Sequence, residues 1–290
     1  MRQIFTDFVF GKIALKKSVY ISLICVICVL MVHANSTAAD TVTMTMTLNK
    51  FGNVKFSVKG SGSITIDWGD RTIDTRNLTP GVVTYSHHYT KKAHRKVIIS
   101  GQNITHFNCN GCKITDLDVS NNTELQSLRC ARNRLTNLDV SRNSALTHLI
   151  CDNNLLTILD VCANTALTNL VCDNNRLTVL DLSTNTSLTI LHCSENQLTS
   201  LNLNKNRLLT NVICEGNQLT SLETSNTNAL MFMNCRKNRL TAEALNILFG
   251  TLNATQEEGK ILYIRNNPGT NTCNRGCATD KFWKIDTSFM

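Results

Sequence analysis

The sequence predicts a mainly β solenoid: a chain wound into stacked 21-residue coils, with a small β unit ahead of them and a helix-containing cap behind. Three observations carry this expectation. Seven cysteines, Cys109, Cys130, Cys151, Cys172, Cys193, Cys214 and Cys235, recur every 21 residues, and only stacking returns a residue to the same place in every turn. Around them runs the frame L-x-x-L-x-C-x-x-N-x-L, as in Leu188, Leu191, Cys193, Asn196 and Leu198. The period breaks after Arg239, where a helix-like segment begins.

At the N-terminus, Lys16-Lys17 precedes the apolar stretch Ser18 to Val32, the order of the charged and hydrophobic regions of a secretory signal. Val32-His33-Ala34 and Thr37-Ala38-Ala39 are alternative cleavage sites. The apolar run is shorter than the roughly 20 residues a bilayer span needs, although an uncleaved anchor stays open. Export is the expectation, with no transmembrane span after signal cleavage. Of the formal charge of +8, residues 1–39 hold +3 (Arg2, Lys12, Lys16 and Lys17 against Asp7), leaving +5 on the rest. That surplus is diffuse and gives no nucleic-acid footprint.

Residues 40–101 read as strands. Thr41 to Leu48 and Lys55 to Val58 alternate in polarity, with Gly and Asp punctuating the segment. A unit of about 60 residues is small enough to lean on the first coil.

Six full coils begin at Ile114, Leu135, Leu156, Leu177, Leu198 and Leu219, after a half coil from Ile104 to Cys112. Asn133, Asn154, Asn175, Asn196, Asn217 and Asn238 form a second column, able to hydrogen-bond the backbone leaving each strand and one another along the stack. Stacked Cβ atoms sit near the inter-strand spacing of about 4.8 Å, wider than the roughly 3.8 Å of a disulfide. The cysteine column is therefore expected to be a reduced, buried ladder in which each thiol is a small hydrophobe. Cys109 and Cys112 lack the second ligand pair a zinc site needs. Cys162 stands where other coils have Ser141 and Ser183, with no partner. A further column, Asp118, Asp139, Asp160 and Asp181, continuing as Asn202 and Glu223, fits Asx-type bonds to the backbone two residues on better than a calcium row.

After Arg239, Thr241 can cap a helix from Ala242 to Leu252. Leu262-Tyr263-Ile264 restores the strand frame with Ile264 in the cysteine column, so this coil is 29 residues long. Residues 270–290 then close the exposed end of the core, as a terminal cap must. Cys273 and Cys277 are close enough for a disulfide in an exported protein, and bridged and free states both stay open.

The repeat seen almost whole from Leu156 to Arg176 resembles bacterial surface leucine-rich-repeat proteins, in particular cysteine-ladder internalins and related repeat proteins of Gram-negative gut and oral anaerobes. The resemblance covers residues 104–239. It implies a right-handed curved solenoid with a parallel sheet on its concave face and a role in protein recognition. Ile64-Thr65-Ile66-Asp67-Trp68-Gly69-Asp70, with Tyr85 to Tyr89 and Lys96 to Ile99, is similar to a PKD-type immunoglobulin-like β-sandwich. The expected organisation is a signal (1–39), a PKD-like sandwich (40–101), leucine-rich repeats (102–239) and a cap (240–290), in a protein secreted by, or held on the surface or outer envelope of, a bacterium.

Strand alternation sends the residues flanking each inward Leu and Cys out of the sheet. On that face the sequence places Arg129, His148, Ile150, Val171, Ile190, His192, Ile213 and Phe232, and beyond the cysteines Asp152, Asp173, Glu215 and Arg236. Exposed aliphatics beside an acidic row, with arginine at either end, suit a basic-apolar protein segment; β-branched residues also favour strands for purely structural reasons. His87, His88 and His94 with Asp67 and Asp70 lack metal-site spacing, and no cofactor or metal is expected. The nucleophile elbow, phosphate loop and paired catalytic carboxylates are missing from the sequence, which argues against an enzyme. The expected partner is a protein; glycan binding or a spacer role are the alternatives.

Overall fold

The computed structural model describes residues 42–79, 81–224 and 227–286, so the expected signal and its cleavage sites lie outside the described residues. Nine short strands stack in parallel. They are β5 (His106–Asn108), β7 (Ser127–Arg129), β8 (His148–Ile150), β9 (Asn169–Val171), β10 (Ile190–His192), β11 (Asn211–Ile213), β12 (Phe232–Asn234), β13 (Ile261–Tyr263) and β14 (Lys284–Asp286). From β5 to β12 each rung advances by one 21-residue period, so Leu149, Leu170, Leu191 and Val212 pair in register. In β8 to β11 each central side chain is fully buried and its neighbours half-buried, the period-2 pattern of a sheet with one face inward.

The seven column cysteines are all fully buried and all free thiols. Burial pushes the thiols of Cys130, Cys151, Cys172 and Cys214 well above their ordinary pKa, which keeps them neutral and unreactive. Their backbones carry the rung contact, as in Cys151 N donating to Val171 O at 2.8 Å.

The asparagine column bonds the backbone leaving each strand, as expected, but not its own neighbours. Each side chain clamps its own coil to the backbone of the coil before it. Asn175 Nδ2 donates to Cys172 O and to Cys151 O, both at 3.1 Å, while its Oδ1 accepts from Leu156 N at 3.0 Å. The backbone just before the clamp turns left-handed in every coil, at Arg132, Asn153, Asn174, Glu195 and Lys237, with Gly111 and Gly216 completing the set. A left-handed non-glycine residue is locally unfavourable, and the clamp beside it offsets that cost.

A second asparagine column escaped the sequence reading. Asn143, Asn164, Asn185 and Asn206 are fully buried on the other side of the coil. Asn185 Nδ2 donates to Val161 O and Asn164 O, both at 2.9 Å, while its Oδ1 has no hydrogen-bond partner. The aspartate column behaves as expected: Asp139 Oδ1 accepts from Ser141 N and Asp160 Oδ1 from Cys162 N, each at 2.9 Å.

Both ends of the stack are closed. β1 (Val42–Lys59) lies across the first coil, pairing antiparallel with β5 through Ser57 to Lys59 and with β6 (Ile114–Asp118) through Thr45 to Leu48. Its other edge pairs with β4 (Val83–Gly101), which carries β2 (Gly62–Asp67), and β3 (Ile73–Leu78) follows. Sequence reading placed two separate strands within β1 and a sandwich around them; the structure joins the two across an irregularity between Lys50 and Gly52 and runs all four strands on into the sheet of the coils. Continuity with the coils leaves no open edge at β5, which a stack must cover to stay monomeric. Phe56 packs on Phe107 of the first coil with ring centroids 5.7 Å apart. The Trp68-Gly69-Asp70 turn needs its glycine: φ is +73°, and a Cβ would stand 2.7 Å from Lys96 O.

At the other end, α1 (Ala242–Thr251) starts as expected at Thr241, whose hydroxyl accepts from Ala244 N at 3.2 Å. Met233 pairs with Leu262, the predicted 29-residue step. β14, which the sequence reading did not place, adds one more rung, with Trp283 buried beneath it. Lys260 is buried without a carboxylate: its Nζ donates to Asn253 O, Asn253 Oδ1, Thr255 O and Lys281 O. Cys273 and Cys277, the latter on the short helix α2 (Gly276–Thr279), are both free thiols. Among the described residues no helix is long and apolar enough to cross a membrane.

Candidate functional site

The parallel register assembles the outward face of the sheet into columns. One runs Arg129, Ile150, Val171, His192, Ile213, Asn234, Tyr263; its neighbour runs Ser127, His148, Asn169, Ile190, Asn211, Phe232, Ile261. Asp152, Asp173, Glu215 and Arg236 follow one residue past the cysteines. All twelve residues singled out from the sequence therefore share this face.

Their exposure differs from the expectation. Apart from Arg129, which is exposed, all of them are half-buried. Rungs about 4.8 Å apart place like side chains shoulder to shoulder, so each covers part of its neighbours. The most exposed aliphatics of the coils lie elsewhere, at Ile158 (73%) and Val179 (68%), one coil apart between the clamp and the aspartate column.

The acidic row is compensated locally. Glu215 accepts from Asn234 Nδ2 at 2.8 Å and pairs with Arg236 at 3.0 Å and Lys237 at 2.9 Å. Burial pushes its carboxyl up, but hydrogen bonds from Lys237, Asn234 and Arg236 outweigh that and bring the pKa down to about 2. Asp173 goes the other way: burial raises its pKa, against the opposing bond from Ser194 N and the charge of His192. His192 Nδ1 lies 4.0 Å from Asp173.

Tyr263 belongs to this face and was missed, because the 29-residue coil takes it out of the 21-residue phase. It packs against Phe232 with centroids 5.6 Å apart and the rings tilted by 50°, and Arg236 lies 5.5 Å above its ring. The frame of Leu262 and Ile264 was the signal that could have found it. At the opposite end, where the cap meets the face, a groove of about 340 Å³ is lined by Lys59, His106, Arg129 and His148.

The histidines of the cap do not converge. His87 bonds Asp70 at 2.7 Å and stacks on Trp68 at 4.8 Å, His88 bonds Asn53 at 2.7 Å, and His94 bonds Asn49 at 2.9 Å. Among the described residues no group of three or more His, Cys, Asp or Glu could hold a metal ion.

The sequence matches no protein-family model and no curated protein. Solved structures do resemble it. The functional domain of InlJ from Listeria monocytogenes, which includes a cysteine ladder, is 31% identical over 64% of this chain and 44% of its own, with a TM-score of 0.48. The leucine-rich-repeat protein LIC12759 of Leptospira interrogans is 21% identical over 58% of this chain and 44% of its own, with a TM-score of 0.50. YopM, a leucine-rich effector protein from Yersinia pestis, is 20% identical over 50% of this chain and 46% of its own, with a TM-score of 0.34. This chain thus spans less than half the length of each. Together with the in-register rungs, the likeness to the Leptospira protein shows a leucine-rich-repeat solenoid.

Proposed function

We propose that the chain is an exported, non-catalytic recognition module of the bacterial surface, an adhesin-type protein that binds another protein through the concave sheet face. One observation carries this reading: Ile150, Val171 and Ile213 stand in register on one open face with Ile190 and Phe232 beside them, and carboxylates flank the row. A half-buried aliphatic row with charged edges has the anatomy of an interface core and rim. The charged and apolar order of residues 16–32 supports export. Glycan binding through the N-terminal strands is less favoured, since Trp68 and Tyr89 are buried and only the lone Phe51 ring of β1 is largely exposed among its large hydrophobic aromatics.

The test is an affinity capture from host and bacterial extracts with residues 40–290, each retained protein then being re-measured as a purified pair. Substituting Ile150→Asp and Ile213→Asp together should abolish capture while the melting temperature stays within about 5 °C of the parent. Undiminished binding by a variant that still folds would sink the proposal. N-terminal sequencing of protein recovered outside the cytoplasm checks export, with Asn35 or Asp40 as the expected first residue.

A further inference from the structure

Lys59 ends β1 directly opposite His106, and the row continues His106, Ser127, His148 on successive rungs. Arg129 lies one column over, so four basic side chains line the groove at the cap, and no Asp or Glu lines it. Among the described residues, none of the four makes an ion pair. The coils repeat but this groove does not, because only β1 can supply Lys59, Ser57 and Val58 to it.

Each imidazole is fixed by a threonine beside it: His106 Nδ1 lies 2.9 Å from Thr105 Oγ1 and His148 Nδ1 2.9 Å from Thr147 Oγ1. A ring with its hydrogen on Nδ1 presents a bare Nε2 to the groove. A bare Nε2 repels an anion; a protonated one donates to it.

We infer that this groove takes a carboxylate of an acidic, apolar peptide segment, with His106 taking up a proton as it binds. The inference rests on the protein-recognition reading and names the chemistry of one end of the partner. Burial, then the charges of Lys59, His148 and Arg129, hold the His106 pKa below its ordinary value, and an anion in the groove opposes that shift. Those three groups face it from β1, β8 and β7. Arg129 pairs in register with Ile150, and Ile150 with Val171, so the residues following the carboxylate meet aliphatic side chains. A sulfated glycan would satisfy the charges and leave that row uncovered.

The experiment is calorimetric titration of the full chain with an end-capped peptide of alternating glutamate and isoleucine, from about pH 8 to about pH 5.5, beside the glutamine-for-glutamate peptide, inorganic phosphate and a sulfated oligosaccharide. Binding of the glutamate peptide should tighten by up to about tenfold per pH unit for each proton taken up. Its affinity should fall about tenfold in Arg129→Gln, and the His106 ring should titrate at higher pH with peptide bound. Equal binding of the glutamine peptide, pH-independent affinity, or binding of phosphate or sulfated oligosaccharide in preference to the peptide would each overturn the inference. If Ile150→Asp with Ile213→Asp ends partner capture while Arg129→Gln leaves it intact at every pH, the groove inference fails and the recognition proposal stands.

Discussion

The coils and the two ends of the stack bury their polar groups by opposite means. Within the coils one solution recurs from turn to turn: a neutral thiol and a clamping asparagine, each in a buried column of its own. At the ends the solutions are used once. β1 bends across the whole first coil, and Lys260 sits among four oxygen acceptors beside Trp283. Repetition supplies stability through nearest-neighbour contacts, whereas the single-use groups decide where the stack stops and what chemistry its ends present. The cationic groove at the N-terminal end and the Phe232, Tyr263, Arg236 cluster at the C-terminal end both arise where the period is broken.

Removing one rung's clamp should give the largest loss. Asn175→Ala leaves Leu156 N unpaired in the interior and takes from Cys151 O and Cys172 O one of the two amide donors each has, the others being Asn154 and Asn196, at a cost of about 3–5 kcal/mol. Asn185→Ala in the second column should cost less, because its Oδ1 has no partner to lose. Chemical unfolding of the two variants side by side measures this difference, and equal losses would mean the columns are equivalent.

Lys260→Met should cost about 2–3 kcal/mol by stranding the carbonyls of Thr255 and Lys281, while Asn253 O keeps the Trp283 indole N–H. Hydrogen exchange should show the added opening confined to residues 240–286. Spread of that opening through the coils would show that the cap and the coils unfold as one unit.

Glu215→Gln should cost about 1 kcal/mol at neutral pH. The folded carboxyl, with its pKa near 2, lies below its unfolded value, so the charged form stabilises the fold above the ordinary carboxylate range. That contribution fades as pH falls toward about 2, where parent and variant should melt alike. A constant gap in melting temperature down to that pH would contradict the ion-pair account. Ile158→Thr, on an exposed position, should change stability by less than about 0.5 kcal/mol.

Much of the fold was legible because a 21-residue period is a strong signal. The cysteine column, the aspartate turns, the cap at Thr241 and the long coil to Ile264 all follow from spacing alone. The asparagines at 143, 164, 185 and 206 keep the same period, yet within D-V-S-x-N they look like ordinary turn residues, and only burial tells them apart. β1 could not be read as one strand, since Lys50 to Gly52 interrupts the alternation with an irregularity set by pairing to β4. The outward face of the sheet was legible as positions; its half-burial and local charge pairing were not, because they depend on neighbours in the next coil.

The central claim is that one column of thiols stays reduced and enclosed by in-register coils. Alkylation without reductant, mapped by peptide mass spectrometry before and after unfolding, tests it directly. The native protein should label at the exposed Cys162 and Cys277, while Cys109, Cys130, Cys151, Cys172, Cys193, Cys214 and Cys235 label only once unfolded. Rapid native labelling of that column, or its resistance to labelling after unfolding until a reductant is added, would contradict the account.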